Sequence, residues 1–216
     1  MNPISNTQLL EALNWRYATK QFDAAKKISA DTITALEESL ILSASSFGLQ
    51  PYRFLVVNDK AMREKLLPHT WGQRQVVDAS HYLVFAGRTT MSEKEIDAFL
   101  KLTADTRGMS VETLKGYRGM MTGMLLADSF QPKVPHWAAL QAYIALGNLL
   151  TSAAVLGVDA CPIEGFVPAE YDKLLSLPEQ GFASIVCCAL GYRADTDKYA
   201  TAKKVRAAKA DLIKHI

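Results

Sequence analysis

Arg16 and Lys20 stand four residues apart in the segment W-R-Y-A-T-K-Q-F-D, from Trp15 to Asp23, with Tyr17, Ala18 and Thr19 between them. A guanidinium and an ammonium at that spacing can meet an anion, or they can lie solvated at the negative end of a helix dipole. Three distant segments carry residues of similar interest: S-A-S-S-F-G-L-Q-P-Y-R-F from Ser43 to Phe54, P-I-E-G-F from Pro162 to Phe166, and K-K-V-R from Lys203 to Arg206. Each has an ordinary reading when taken alone. The serine- and glycine-containing stretch is a turn by composition, and Pro162-Ile163-Glu164-Gly165 is a turn after a strand, with Glu164 a surface acid. A basic tail is most often solvated, and less often an arm for nucleic acid or lipid.

Other chemistries lack their residues. The chain holds no G-x-G-x-x-G and no G-x-x-x-x-G-K-[ST], so neither a dinucleotide fold nor a P-loop is supported. His69, His81, His136 and His215 show no metal-ligand spacing, and His81 reads as a structural histidine. No metal site is expected. Cys161, Cys187 and Cys188 form no C-x-x-C and read as buried, reduced thiols, which suits a cytoplasmic compartment. The first residues, M-N-P-I-S-N-T-Q, lack the basic and apolar regions of a signal peptide.

The elements that must position these residues can be sketched from the pattern. The chain has 216 residues, of which 49% are hydrophobic and 21% charged, with a net charge of +2. That composition predicts one packed domain over residues 1–216 and argues against nucleic acid as a partner of the whole surface. Ser5 and Gln8 form a capping box with Ile4 as a staple, opening a helix whose apolar face is Leu9, Leu10 and Leu13. A second helix starts near Ser29 or Asp31 and carries Ile33, Leu36, Leu40 and Ile41 toward the core. Strands are expected at Phe54–Val57, Tyr82–Ala86, Val158–Ile163 and Phe182–Leu190, with helices near Asp59–Leu67 and Pro168–Leu175. Ser92 to Met124 reads as helical, with Met109, Met120, Met121 and Met124 as core filling. Ser129–Pro135 holds two prolines and reads as a loop. No charge falls between His136 and Asp159, a stretch long enough to span a bilayer, yet Gln141, Asn148, Thr151 and Ser152 favour a buried helix or a dimer seam, so no membrane partner is expected. Strands scattered among more numerous helices predict an α+β layered fold.

In their order and spacing the four segments resemble the nitroreductase family, over roughly Ile4 to Arg206. The likeness extends to Asp78-Ala79-Ser80-His81 and to Gly147-Asn148. It implies a central, mainly antiparallel sheet flanked by helices, a long helix at a dimer interface, and a homodimer with FMN sites between subunits. It further implies transfer of hydride from NADH or NADPH to small electron-poor acceptors such as nitroaromatics or quinones, in ping-pong fashion. Arg16, Lys204 and Arg206 would grip the FMN phosphate, and the tail 193–216 would complete the site. Lys20, with Tyr17, Ala18 and Thr19 beside it, would lie near the ring and ribityl chain. Pro162, Ile163, Glu164 and Gly165 would meet the ring near N5, so Lys20, Glu164 and Gly165 become the catalytic candidates. Ala44, Ser45 and Ser46 would cover the cofactor from the partner subunit. Relatives carry Asn-x-x-Lys where this chain has Gly72-Gln73-Arg74-Gln75, which leaves Gln73 or Gln75 to supply donors to the pyrimidine edge. Tyr117 to Phe130 would shape the acceptor pocket. The same fold also serves flavin delivery and pteridine reduction, and a polyanion-binding arm is a third reading of the tail.

Overall fold

Four strands form one sheet in the order β1-β2-β4-β3, every neighbouring pair antiparallel, in a computed structural model that describes residues 3–216. They are β1 (Tyr52–Val56), β2 (His81–Arg88), β3 (Asp159–Ile163) and β4 (Phe182–Gly191). Around them lie α1 (Asn6–Trp15), α2 (Ala30–Ile41), α3 (Lys60–Leu66), α4 (Gln75–Asp78), α5 (Glu93–Arg107), α6 (Lys115–Leu125), α7 (Val134–Val155), α8 (Pro168–Leu174) and α9 (Lys209–Leu212). This is the expected α+β arrangement.

The two central strands are apolar over most of their length, from Tyr82 to Ala86 and from Ile185 to Leu190, because both faces of the sheet are covered there. Period-two alternation sends Leu83, Phe85, Val186, Cys188 and Leu190 into one layer with Leu36 and Leu40 of α2 and Leu149 of α7. Their neighbours Tyr82, Val84, Cys187 and Ala189 face the other way, onto Leu66, Val76 and Tyr171. All three cysteines are therefore buried and free, as expected. A separate cluster joins α5 and α6 to the start of α7 through Ile96, Leu100, Met121, Leu125 and Trp137.

Several local expectations need correcting. Ser92–Met124 is helical as read, but Gly108, with φ +62°, ends α5 and a 3-10 turn leads into α6. Pro135 sits in the first turn of α7, where its missing N–H costs nothing, so the helix starts inside the segment expected as a loop. Of the methionines expected to fill core, Met121 does so, while Met109, Met120 and Met124 are exposed, Met120 at 62%. Ile41 is likewise 55% exposed instead of buried with Leu36 and Leu40.

Helix α7, extended back to Gln131, is long and apolar enough to cross a membrane by length and composition alone. Its buried side packs on α2, β2 and β4. The opposite side leaves Leu140, Tyr143, Ile144 and Val155 exposed, and no residue of α1 beside it is fully buried. The Ser5–Gln8 capping box forms as expected, but α1 is only partly covered by α7 and leaves Leu10 and Leu13 exposed.

Candidate active site

The loop that carries the first two cations is a graft onto the edge of the sheet. At Arg16 the backbone leaves helix α1 for an extended conformation, its N–H still donating to Ala12 O at 3.0 Å. Two residues later Ala18 forms a parallel bridge with Ala160 of β3, so the loop runs beside the strand that ends in Pro162 and Ile163. Buried Thr19 donates its hydroxyl to Asp159 Oδ1 at 3.2 Å. Asp159 also accepts from Arg193 N and Nε, each at 2.8 Å, and the Arg193 guanidinium lies over the rings of Trp15 and Tyr17 at 4.2 and 4.7 Å.

Asp197 fixes the other side of the loop. Only 3% exposed, it accepts hydrogen bonds from Lys20 N at 2.8 Å, Gln21 N at 3.0 Å, Tyr17 Oη at 2.9 Å and Tyr199 N at 3.0 Å. Burial pushes its carboxyl upward, but these donors together hold it below the usual carboxylate value. The phenol of Tyr17 is pushed up to about 12, chiefly by burial and then by Asp197. One carboxylate thus ties the cation loop to the segment that leads into the tail.

Between loop and tail lies a groove of about 340 Å³ lined by Arg16, Lys20, Lys203, Lys204 and Arg206, and no acidic residue lines it. Lys204 Nζ donates to Leu13 O at 2.8 Å and to Arg16 O, which plants the tail's ammonium at the end of α1. The basicity of Arg16 is lowered by burial and then by Arg206, and that of Lys204 by burial, Arg16 and Arg206 in turn. Arg16 Nε is buried without a hydrogen-bond partner. Crowded, partly desolvated cations with an idle donor are unfavourable unless an anion joins them. A dianionic phosphate has the charge and the acceptor geometry to do so. The structure therefore brings Arg16, Tyr17, Ala18, Lys20, Lys204 and Arg206 to one place.

The turn after β3 is built by shape rather than charge. Phe166 N donates to Glu164 O at 2.9 Å, closing it. A Cβ on Gly165 would come within 2.7 Å of Trp71 Cζ3 and 3.0 Å of Gln73 Nε2, so any side chain there would have to displace them. Gln73 Nε2 donates to Gly165 O at 2.8 Å, and Tyr143 Oη to Glu164 Oε1 at 2.5 Å. Trp71 reaches this position because it and Gly72 both adopt left-handed backbone, at φ +54° and +66°. Its ring remains 73% exposed.

Of the remaining candidates, Gln73 and Gln75 stay beside β3 and its turn, through Gly165 and Cys161, while the serine loop lies away from them. Ser46 N donates to the buried Gln141 Oε1 of α7 at 2.8 Å, and Gln50 N to Ser45 Oγ at 3.0 Å. Ala44, Ser45 and Ser46 form no part of the groove lining. Gln75 is buried in the first turn of α4, and Gln73 spends a donor on Gly165. Asp159, Arg193, Asp197, Tyr143 and Trp71 escaped the sequence reading. Their roles come from contacts across distant segments, and only the W-R-Y aromatics gave any hint of a cation stack.

Comparison with known proteins fits this geometry. The nitroreductase family model matches residues 13–192. YfkO of Bacillus subtilis (strain 168), provisionally named an NAD(P)H nitroreductase, is 36% identical over 229 residues, covering 97% of this chain and 98% of its own. SERP2086 of Staphylococcus epidermidis, with the same provisional name, is 36% identical over 224 residues with full coverage of both chains. Among solved structures, ydfN of Bacillus subtilis, provisionally a nitroreductase, superposes with a TM-score of 0.84 at 18% identity, over 98% of this chain and 100% of its own. A provisionally assigned nitroreductase from Exiguobacterium sibiricum 255-15, solved in complex with FMN, gives 0.79 at 20%, over 100% and 99%.

Proposed function

Since the chain belongs to the nitroreductase family, a family of oxidoreductases, we propose that it binds FMN and uses it to pass hydride from NADH or NADPH to small electron-poor acceptors. The observation that carries this reading is the groove in which five cations, one with an idle buried donor, face no acid. Arg16, Lys204 and Arg206 would hold the phosphate. Lys20, beside Cys161 at the sheet edge, would supply positive charge toward the ring, and Gly165 would let backbone come close to it. When bound, FMN supplies the hydride chemistry, so no side-chain acid or base is required. Donor and acceptor would occupy one open face in turn, the ping-pong order.

The functional unit in this reading is a homodimer. What supports it is the apolar side of α7, where Leu140, Tyr143 and Ile144 are exposed, together with the exposed Leu10 and Leu13 of α1. Ser45 and Ser46, held on α7 through Gln141, would then reach the partner's cofactor.

The purified protein should take up FMN, show a flavin absorbance spectrum, and lose it on addition of NADH or NADPH without oxygen. A protein that stays colourless after incubation with FMN would refute the proposal. Bound FMN without turnover on a quinone or nitroaromatic would favour flavin delivery or a related task instead.

A further inference from the structure

The Glu164–Gly165 turn is gripped from two unrelated parts of the molecule. Tyr143 belongs to α7, on its exposed side, and its phenol donates to the Glu164 carboxylate at 2.5 Å. Gln73 belongs to the loop before α4, and its amide donates to Gly165 O at 2.8 Å, while Trp71 closes over the glycine from the same loop. Neither grip is required to hold the sheet together, since Ile163 and Phe166 on either side are already buried in the core.

We infer that Tyr143 and Gln73 are positioning residues that set the reduction potential of the bound flavin by fixing the charge and the backbone dipoles of the Glu164–Gly165 turn. This rests on the functional reading above. Burial, and then Glu164, pushes the Tyr143 phenol up to about 12, so it remains a donor at neutral pH. A carboxylate that keeps its phenol donor has part of its charge compensated, and an uncompensated one would oppose electron gain by a nearby ring. Pinning Gly165 O holds the peptide of Phe166, whose N–H donates to Glu164 O and so steadies the peptide that carries Gly165 N–H, and a fixed donor favours the electron-rich form. Both grips therefore act with the same sign. Gln73, expected to offer a donor to the pyrimidine edge, instead commits its amide to holding protein.

The test compares wild type with Tyr143→Phe, Gln73→Leu and Gln73→Glu, measuring FMN affinity, thermal stability of the apoprotein and the midpoint potential of the holoprotein. Tyr143→Phe and Gln73→Leu should each lower the preference for reduced over oxidised flavin about tenfold, about 30 mV for a two-electron couple. Gln73→Glu, which cannot donate and adds a negative charge, should lower it further. Apoprotein melting should stay near wild type. If the wild type takes up no FMN, the functional reading fails and this inference with it. If it takes up FMN normally and the variants' potentials do not move, whether or not their affinity falls, the inference alone is overturned.

Discussion

The two halves of the candidate site are built on opposite principles. The groove between the Arg16–Lys20 loop and the tail collects five cations and leaves the buried Arg16 Nε idle, so as a protein surface it is poorly satisfied. The Glu164–Gly165 turn is the reverse: its carbonyl and its carboxylate each have a donor, and one further carbon on the glycine would collide with Trp71 as it stands. Charge that lacks a partner is a binding device, whereas geometry that admits no change is a positioning device. In the reading proposed here, the first would fix how tightly the cofactor is held and the second how it reacts.

Removing cations should break that division most clearly. Arg16→Ala and Arg206→Ala should each weaken FMN binding by about 1.5–3 kcal/mol, the worth of a hydrogen bond to a charged group. The apoprotein should not lose stability in step, because each substitution also relieves repulsion among crowded cations. Titration with FMN beside melting of the apoprotein would separate the two effects. Unchanged affinity in both variants would remove the phosphate from this groove.

Gly165→Ala attacks the other half. The added methyl meets Trp71 and Gln73, and overpacking of this kind typically costs about 1–3 kcal/mol. The loss should show in the rate of flavin reduction by NAD(P)H more than in FMN affinity. Adding Trp71→Ala should restore much of it, since the nearest obstructing atoms are that ring's. A variant that loses FMN but reduces what remains at the normal rate would erase the contrast.

The contrast also explains what could be read from the chain beforehand. Sheet strands and the buried α7 were legible because burial repeats along sequence: Tyr82 and Val84 against Leu83 and Phe85, for example. The cations were legible as residue types in order. Their supports were not, because Asp197 meets Lys20 and Tyr17 across more than 170 positions, and nothing local marks it. The exposed methionines of α6 were misread for a related reason: helical spacing says that a residue shares a face, but not whether that face has a neighbour.

Asp197 offers the smallest effect and the finest discrimination. Its folded pKa is depressed, so the stability it contributes is present above the ordinary carboxylate value of about 3.9 and is lost as pH falls through the folded value. Asp197→Asn keeps the shape but weakens acceptance from the backbone N–H groups of Lys20 and Gln21. The variant should be modestly less stable at pH 7, with the difference from wild type shrinking as pH falls below about 4, where the unfolded carboxyl takes up its proton, toward the depressed folded value. FMN affinity at pH 7 should fall less than in Arg16→Ala, because every cation remains and only the loop presenting Lys20 is loosened. Melting curves of both proteins between pH 3 and pH 7 would settle it. A stability gap that persists unchanged in acid would mean that the carboxylate's charge contributes nothing to holding the loop.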